Sequence, residues 1–269
     1  MSGPRTKRLR MIAGPNGSGK SSIVRNLAKE RSPQGVFFLN YFLNADDVER
    51  ALVSTGLDLS RFDVETTLEH LCRSLRDGGR IAGEHRFFRD GRLDGSVLYA
   101  LKGNGYLAAA IVDFLREELM RRGDSFSFET VMSHRSKIEF FKRARASGYK
   151  TYLYFVCTNS AELNIARVRS RVGMGGHSVP EDKIRERYVR CLELAREAVA
   201  HSYRAYFFDN SGPEPIWLAE FDPNGNGFLK PKPDQDRIPE PDELPRWFRD
   251  WVWDDWNPIN RVNTDDGSN

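Results

Sequence analysis

The stretch that decides the fold is GPNGSGKSS, Gly14 to Ser22. Residues 14–21 match the phosphate-loop pattern G-x-x-x-x-G-K-[ST], which in nucleotide-binding proteins joins a strand to a helix. Its glycines let backbone N–H groups point at phosphate oxygens, and the helix N-terminus adds a favourable partial positive charge. The alternative is a glycine-rich turn that binds nothing. The predicted nucleotide contacts are Gly14, Pro15, Asn16, Gly17, Ser18, Gly19, Lys20, Ser21 and Ser22.

The sequence on either side of the loop has the order that this motif requires. Leu9 to Ala13 is a short, mostly apolar run that predicts a buried first strand. Ser18 to Glu30 has the 3.6-residue apolar period of a helix. In that setting Lys20 reaches the β- and γ-phosphates of a nucleotide, and the Ser21 hydroxyl binds Mg²⁺. The sequence therefore predicts ATP (or GTP) with Mg²⁺ as its cofactors.

Strand and helix patterns alternate along most of the chain. Further strands are predicted at 36–43, 124–129, 150–157 and 203–208. Further helices are predicted just after Asn44 and at 64–76, 106–122, 134–147, 160–172 and 180–200. This alternation predicts an α/β fold with a doubly wound, mostly parallel sheet flanked by helices, as in P-loop kinases and NTPases.

Composition divides the chain into three parts. Residues 1–212 carry the alternating pattern and are predicted to form a P-loop kinase domain. An inserted helix-hairpin segment interrupts it at about 55–105, where two Asp-Gly turn signals predict a hairpin around 86–101. Residues 213–259 are rich in proline and tryptophan and are predicted to pack as an extension on the domain or on a partner. Residues 260–269 are predicted to be a disordered tail.

Overall composition favours a protein without membrane or nucleic-acid partners. The 41 basic and 38 acidic residues give a net charge of only +3. No run approaches the roughly 18 apolar residues that cross a bilayer. The cysteines are widely spaced and have no CxxC pairing, which predicts buried thiols in a reducing compartment. They are Cys72, Cys157 and Cys191. We therefore expect a cytoplasmic protein.

Two carboxylates follow the second predicted strand. Asp46 and Asp47 lie where open α/β sheets place their ligands, at the carboxyl edge of the strands. In a phosphotransferase, an aspartate here accepts the proton of a substrate hydroxyl as it attacks the γ-phosphate. The alternative is that Asn44 or Asp46 only caps the next helix. The two roles are compatible.

A third carboxylate ends the third predicted strand, in FSFET. Glu129 in this position is predicted to orient a substrate hydroxyl or to hold Mg²⁺ through water. A motor-type ATPase more often has four apolar residues followed by Asp-Glu. The sequence FSFE has one acid followed by Thr130, which leans away from that class.

A basic helix and a glycine-rich joint form the second informative cluster. Arg167 and Arg171 are four residues apart and share a helix face, and the glycines that follow suit a mobile flap. An arginine on a closing lid neutralises charge that develops on the transferring phosphoryl group. His177 in the joint is predicted to contact phosphate or substrate. The alternative is a solvated basic face, because Arg169, Arg185, Arg187 and Arg190 lie nearby.

Two weaker patterns are interpreted structurally. Asp222 to Gly227 imitates half of a calcium loop, but Pro233 occupies the twelfth position, which requires glutamate, so a tight turn is expected. The tail aromatics are predicted to pack on the domain or a partner. They are Trp247, Phe248, Trp251, Trp253 and Trp256.

Taken together, AGPNGSGKS, LNADD, FETVMSHRS, RVRSRVGMGGHSVPEDKIRERYVRCLELA and FFDNSG resemble the zeta toxin family of P-loop kinases. The resemblance covers about residues 8–50 and 106–212. It implies phosphorylation of a sugar hydroxyl of UDP-N-acetylglucosamine and restraint by an antitoxin protein. It also implies that Lys20 and Ser21 contact phosphate and Mg²⁺.

The resemblance assigns further roles to single positions. Asp46 matches the family's catalytic base, and Glu129 matches a substrate-binding acid. A lid arginine falls near Arg171 or, less closely, Arg167. The predicted substrate-binding residues are Asp46, Glu129, Thr130, Arg135 and His177. Thr130 and His177 depart from the residues that are usual in the family.

Two classes of function remain open from the sequence. The first is a kinase that transfers a γ-phosphate to the hydroxyl of a small metabolite. The second is a nucleotide-dependent ATPase or switch protein that acts on a protein partner. An inactive interaction module, and modification of a nucleic-acid or protein hydroxyl, are further alternatives.

Overall fold

The computed structural model describes residues 6–29, 39–77, 91–100, 104–231 and 237–254. The chain forms two compact units. The first unit consists of Met1–Phe38 with Thr130–Asn269, and the second unit is Leu39–Glu129.

Strands and helices alternate as predicted over most of the chain. The strands are β1 (Arg8–Ala13), β2 (Tyr41–Leu43), β3 (Leu57–Asp58), β4 (Arg92–Asp94), β5 (Val97–Tyr99), β6 (Phe126–Thr130), β7 (Lys150–Cys157), β8 (Arg204–Asp209), β9 (Ile216–Phe221) and β10 (Gly227–Leu229). The helices are α1 (Lys20–Leu27), α2 (Ala45–Val53), α3 (Leu68–Asp77), α4 (Gly105–Arg122), α5 (Ser136–Ala146), α6 (Ala161–Gly173), α7 (Glu181–Ala200) and α8 (Arg246–Phe248), which continues as a π-helical turn, Arg249–Trp253. Short 3₁₀ turns cover Leu59–Phe62 and Pro241–Glu243.

The sheet of the first unit is parallel at its centre and antiparallel at one edge. Its order is β10-β9-β8-β7-β1. β7 pairs in parallel with β1 and β8, whereas β9 pairs antiparallel with β8 and β10. A parallel strand that is buried on both faces needs a nearly continuous apolar run. Phe155, Val156 and Cys157 of β7 are accordingly fully buried. The predicted fold class is confirmed.

The C-terminal segment, residues 237–254, packs on the first unit. Trp247, Phe248 and Val252 are buried. The ring of Phe248 lies 5.4 Å from that of Phe207 in β8, and the ring of Trp247 lies 6.0 Å from that of Phe155 in β7. Burial of such large rings is the main favourable term for holding a segment with so little regular structure.

Strands β9 and β10 are absent from the predictions, because their apolar runs are short and lie among prolines and glycines. The tight turn expected at Asp222 is confirmed. Its carboxylate accepts hydrogen bonds from the backbone N–H groups of Asn224 and Asn226 at 2.8 and 2.9 Å. This Asx-type turn joins β9 to β10.

The second unit contains a parallel pair of strands and a small antiparallel sheet. β2 pairs in parallel with β6, and β5 lies between β3 and β4. The described part of the predicted hairpin is confirmed, with a turn at Asp94-Gly95 where Gly95 has a φ of 58°. Residues 86–90 of that prediction lie outside the described residues.

Several predicted elements are shorter in the structure, including the helices predicted at 64–76 and 134–147, which cover Leu68–Asp77 and Ser136–Ala146. The predicted strand at 36–43 is wrong at Leu39 and Asn40, since Asn40 has a left-handed φ of 54° that ends extended pairing, while 36–38 lie outside the described residues. The first helix starts at Lys20, because Ser18 and Gly19 belong to the loop. None of the helices in the described ranges is long and apolar enough for a bilayer-crossing segment.

The packing of the C-terminal segment gives a stability prediction. Phe248→Leu leaves a space among the rings of β8 and β9, so we expect the free energy of unfolding to fall by about 1–2 kcal/mol. Urea denaturation followed by circular dichroism measures this change. Trp251→Leu is the matched control, because Trp251 is 39% exposed. Equal losses in both variants would contradict the packing described.

Candidate functional site

The phosphate loop contains glycines whose backbone conformation and close contacts leave no room for a side chain. Gly14 has a φ of 145°, and a Cβ there would lie 2.0 Å from the carbonyl oxygen of Val156. Gly19 has a φ of 89°, and a Cβ there would lie 1.9 Å from the side-chain nitrogen of Asn210. Both values of φ are strained for residues with a side chain. The loop therefore keeps its shape through close contact with strand ends behind it.

The loop and the first turn of α1 bring positive charge and hydrogen-bond donors together. Helix α1 has Gly19 as its N-cap, receives no side-chain capping bond in the described structure, and has no acid in its first turn. The ammonium of Lys20, a buried residue, donates to the carbonyl oxygens of Gly14 and Pro15 at 3.0 Å. The buried hydroxyl of Ser18 has no partner among the described residues. These features fit a bound polyphosphate.

Magnesium fits the same loop through one hydroxyl. Ser21 lies in the first turn of α1 and is exposed, so its oxygen is accessible to a cation. Mg²⁺ in nucleotide sites is usually held by substrate phosphates and water with one or two protein ligands, so it does not require an all-protein cage. Ser22, next to it, accepts a hydrogen bond from Arg25 at 3.2 Å.

The turn after β8 holds the loop from behind. The side-chain nitrogen of Asn210 donates to the Ser18 carbonyl at 2.8 Å, and this contact is buried. Arg167 donates to the carbonyl oxygens of Asn210 and Gly212 at 2.7 and 3.3 Å. Arg167 was predicted to be catalytic. In the structure its guanidinium contacts backbone carbonyl groups of this turn.

Helix α7 brings a second arginine to the loop. Arg187 is half-buried, and its guanidinium donates to the side-chain oxygen of Asn16 at 3.3 Å. Burial raises the pKa of the nearby Cys191 thiol to about 12, while the charges of Lys20 and Arg187 act in the opposite direction. By sequence, Arg187 supported the alternative interpretation of a solvated basic face. Its only signal there was its position one helix after the glycine-rich joint.

Of the predicted lid residues, Arg171 lies in the last turn of α6, and His177 lies in the exposed joint between α6 and α7. Arg171 is exposed and donates to the His177 carbonyl at 3.3 Å. His177 is also exposed, and Met174 at the tip is 78% exposed. Helices α6 and α7, which the joint connects, share a small apolar cluster of Ile165, Val168 and Ile184. An exposed joint with a separate small core suits a segment that moves as a unit.

In the second unit, one asparagine organises the predicted carboxylates. The side-chain oxygen of Asn44 caps α2 by accepting from the backbone N–H groups of Asp46 and Asp47 at 2.8 and 3.4 Å. Its side-chain nitrogen donates to Glu129 at 3.0 Å. Asn44 therefore ties the start of α2 to the end of β6. Asp46 is exposed, and Asp47 forms an ion pair with Arg50 at 3.1 Å.

Two further predicted substrate contacts, Thr130 at the end of β6 and Arg135 after it, lie in the first unit. The hydroxyl of Thr130 accepts from the Met132 backbone N–H at 3.4 Å. Arg135 is exposed and pairs with Glu197 of α7 at 2.8 Å. A cavity of about 550 Å³ in the second unit is lined by Ser60, Thr66 and Arg121 among others, and no predicted site residue lines it.

The bridge made by Asn44 gives a prediction that separates capping from positioning. Asn44→Ala removes both contacts, and we expect it to lower the free energy of unfolding by about 1 kcal/mol. Asn44→Ser keeps an oxygen for the cap but has no donor for Glu129, so we expect most of the stability to be retained. Both variants are expected to lower activity by a similar factor. Full activity in Asn44→Ser would show that the contact with Glu129 has no role.

Comparisons with known proteins agree with this fold. No protein-family model matches the chain. A Haemophilus influenzae Rd protein, described as uncharacterized, is 36% identical over 63 residues, which span 23% of this chain and 45% of that protein. A chain of the AvrRxo1-ORF1:ORF2 complex, solved with ATP, superposes with a TM-score of 0.53 at 13% identity and covers 84% of this chain and 61% of its own. A chain of the PezAT toxin–antitoxin system of Streptococcus pneumoniae superposes with a TM-score of 0.46 at 14% identity, over 96% of this chain and 83% of its own.

The likeness to AvrRxo1 shows the fold, and this chain spans less than two thirds of that relative's length. By fold, this chain is therefore similar to the AvrRxo1 chain, with a mostly parallel sheet flanked by helices and a phosphate loop between β1 and α1.

Proposed function

We propose that this chain is a kinase that transfers the γ-phosphate of ATP (or GTP) to a hydroxyl of a small metabolite. The observation that carries the proposal is the phosphate loop, where Lys20 lies beside the N-terminus of α1, a helix with no side-chain capping bond in the described structure and no acid in its first turn. The likeness to a protein solved with ATP supports the choice of nucleotide.

The residues of the loop bind and orient the nucleotide in this proposal. Lys20 exchanges the carbonyl oxygens of Gly14 and Pro15 for β- and γ-phosphate oxygens. Mg²⁺, when bound, neutralises charge on those phosphates, and Ser21 holds it. Arg187, already at the loop, and Arg171, in the last turn of α6, are the arginines suited to the transferring group. Arg167 keeps the turn after β8 in place through its two carbonyl contacts.

The residue that we propose for proton transfer is Asp46. The hydroxyl oxygen of the acceptor forms a bond to the γ-phosphorus as the bond to the β-γ bridging oxygen breaks and ADP leaves. Asp46 accepts the hydroxyl proton and later releases it to water. Glu129, held by Asn44, orients the acceptor by accepting a hydrogen bond. Closure of the glycine-rich joint excludes water, so that hydrolysis does not compete.

The acceptor that we propose is a nucleotide sugar such as UDP-N-acetylglucosamine, and the biological setting is a toxin restrained by an antitoxin protein. Both come from the resemblance of the sequence motifs to the zeta toxin family. Thr130 and His177 differ from that family, so related sugar nucleotides belong in the same assay.

The second candidate is a nucleotide-dependent switch that acts on a protein. Arg135 is exposed and paired with Glu197, and the joint between α6 and α7 is also exposed. Both are surfaces that a protein partner can contact. A switch releases inorganic phosphate, whereas a kinase does so only slowly in the absence of an acceptor.

The test uses purified protein, Mg²⁺ and γ-labelled ATP or GTP with each of several sugar nucleotides. We expect the label in a phosphorylated sugar nucleotide, separated by ion-exchange chromatography. Label in a different metabolite from a cell extract would retain the kinase and reject this acceptor. Label in inorganic phosphate alone, stimulated by a protein fraction, would reject the kinase in favour of the switch.

A further inference from the structure

The turn after β8 connects the phosphate loop to the C-terminal segment. This turn, Asp209 to Gly212, belongs to the FFDNSG stretch, and its residues face in two directions. On one side, Asn210 donates to the Ser18 carbonyl at 2.8 Å and lies directly behind Gly19. On the other side, the buried carboxylate of Asp209 accepts from the indole nitrogen of Trp247 at 2.9 Å. Adjacent residues of one turn therefore contact the loop and the extension.

The carboxylate of Asp209 is fixed by several donors. The Ser211 hydroxyl donates to it at 2.8 Å and accepts in turn from the Asn159 backbone N–H at 2.9 Å. The Asn210 backbone N–H donates to the Cys157 carbonyl at the end of β7 at 2.8 Å. A buried carboxylate that loses one donor must reorganise or become incompletely paired. A change at Trp247 therefore acts on the same turn that holds the loop.

A second contact leads from Trp247 to the loop through β7. The ring of Trp247 packs 6.0 Å from that of Phe155. The next residue, Val156, has the carbonyl oxygen that limits Gly14 to glycine. Gly14 thus contacts the backbone that follows Phe155, and Gly19 contacts the side chain of Asn210, the neighbour of Asp209.

We infer that Trp247 is a positioning residue for the nucleotide site, and that the C-terminal segment, residues 237–254, supports the phosphate loop through it. The inference rests on the proposed binding of ATP at the loop. Trp247 touches no nucleotide in this account. It acts through Asp209 and Asn210 on the backbone of Ser18 and Gly19, so its removal lowers ATP affinity by a larger factor than a loss of packing elsewhere.

The test compares Trp247→Phe with Trp251→Phe in the full chain, by calorimetric titration with ATP and Mg²⁺. Trp247→Phe keeps an aromatic ring and removes the indole donor, so we expect ATP binding to weaken about fivefold to tenfold. Trp251 is 39% exposed, and its variant is expected to bind ATP as the parent does. Trp247 and Asn210 both act through the turn after β8. The losses of ATP affinity in Trp247→Phe and Asn210→Ala are therefore expected to combine less than additively.

The outcomes separate the inference from the function on which it rests. Absence of ATP binding by the unmodified chain would overturn both. Unchanged affinity in Trp247→Phe, or additive effects with Asn210→Ala, would overturn the inference and leave the kinase proposal intact. Should Trp247→Phe fail to fold, hydrogen exchange of the unmodified chain decides. ATP is expected to slow exchange in residues 237–254 as well as in the loop, since coupling between sites is reciprocal. Protection confined to the loop would reject the inference.

Discussion

Asp46→Asn is expected to lower kcat for phosphoryl transfer about 10²- to 10⁴-fold, the usual contribution of a general base. Asparagine keeps the size of the side chain but does not accept a proton from a hydroxyl. The backbone N–H of residue 46 still donates to the Asn44 side chain, so α2 keeps its cap. Nucleotide affinity is therefore expected to stay within about twofold of the parent, which separates binding from chemistry. Time-course assays with labelled ATP measure kcat, and calorimetric titration measures the nucleotide affinity.

Asp47→Asn is the matched control for this experiment. Asp47 is the next residue of α2, is also exposed, and pairs with Arg50 on the helix surface. Loss of a surface pair is worth little, so its kcat is expected to remain near that of the parent. Equal rates in the two variants would remove Asp46 from the chemistry and leave its carboxylate as part of the first turn of α2.

Lys20→Ala is expected to lower kcat/KM about 10²- to 10³-fold. This is the usual loss when an enzyme lacks one preorganised donor that stabilises its transition state. The Lys20 side chain is buried in the loop and its ammonium is already aligned by two carbonyl oxygens at 3.0 Å. Alanine leaves the loop backbone without that charge, so developing negative charge on the γ-phosphate is no longer offset. The rate with saturating ATP and acceptor, and the KM for ATP, report the loss.

Lys29→Ala serves as the control, because Lys29 is exposed just beyond the end of α1. It removes the same charge from the same unit without touching the loop. A similar loss of activity in both variants would mean that net charge, and not the position of Lys20, attracts the nucleotide. Retained activity in Lys20→Ala would contradict the proposed role of the loop.

Much of the fold follows from local sequence signals. The strand Lys150–Cys157 has the predicted bounds because a continuous apolar run bounded by polar residues has few other interpretations. The loop follows from a motif whose glycines are each required by backbone geometry, as Gly14 and Gly19 show. Asn44 as a helix cap was among the alternatives and is confirmed.

The parts that the sequence did not predict depend on contacts between distant residues. The pairing of Asn44 with Glu129 joins positions that are 85 residues apart, and neither residue has a local pattern that indicates the other. Arg187 was hidden among several arginines of one helix, and only tertiary packing places it at Asn16. Likewise, no spacing rule relates Trp247 to Asp209, 38 residues earlier. These polar groups find their hydrogen-bond partners only when tertiary packing brings distant parts of the chain together.

The central claim is that the terminal phosphate of the nucleotide passes to an organic hydroxyl. The most direct measurement is ³¹P NMR of the products formed from ATP, Mg²⁺, a sugar nucleotide and the purified chain. The account predicts a new phosphomonoester resonance that grows in step with ADP, disappears on phosphatase treatment, and is missing with Asp46→Asn. Growth of inorganic phosphate in step with ADP, without a phosphomonoester for any acceptor tried or for a whole metabolite extract, would contradict it.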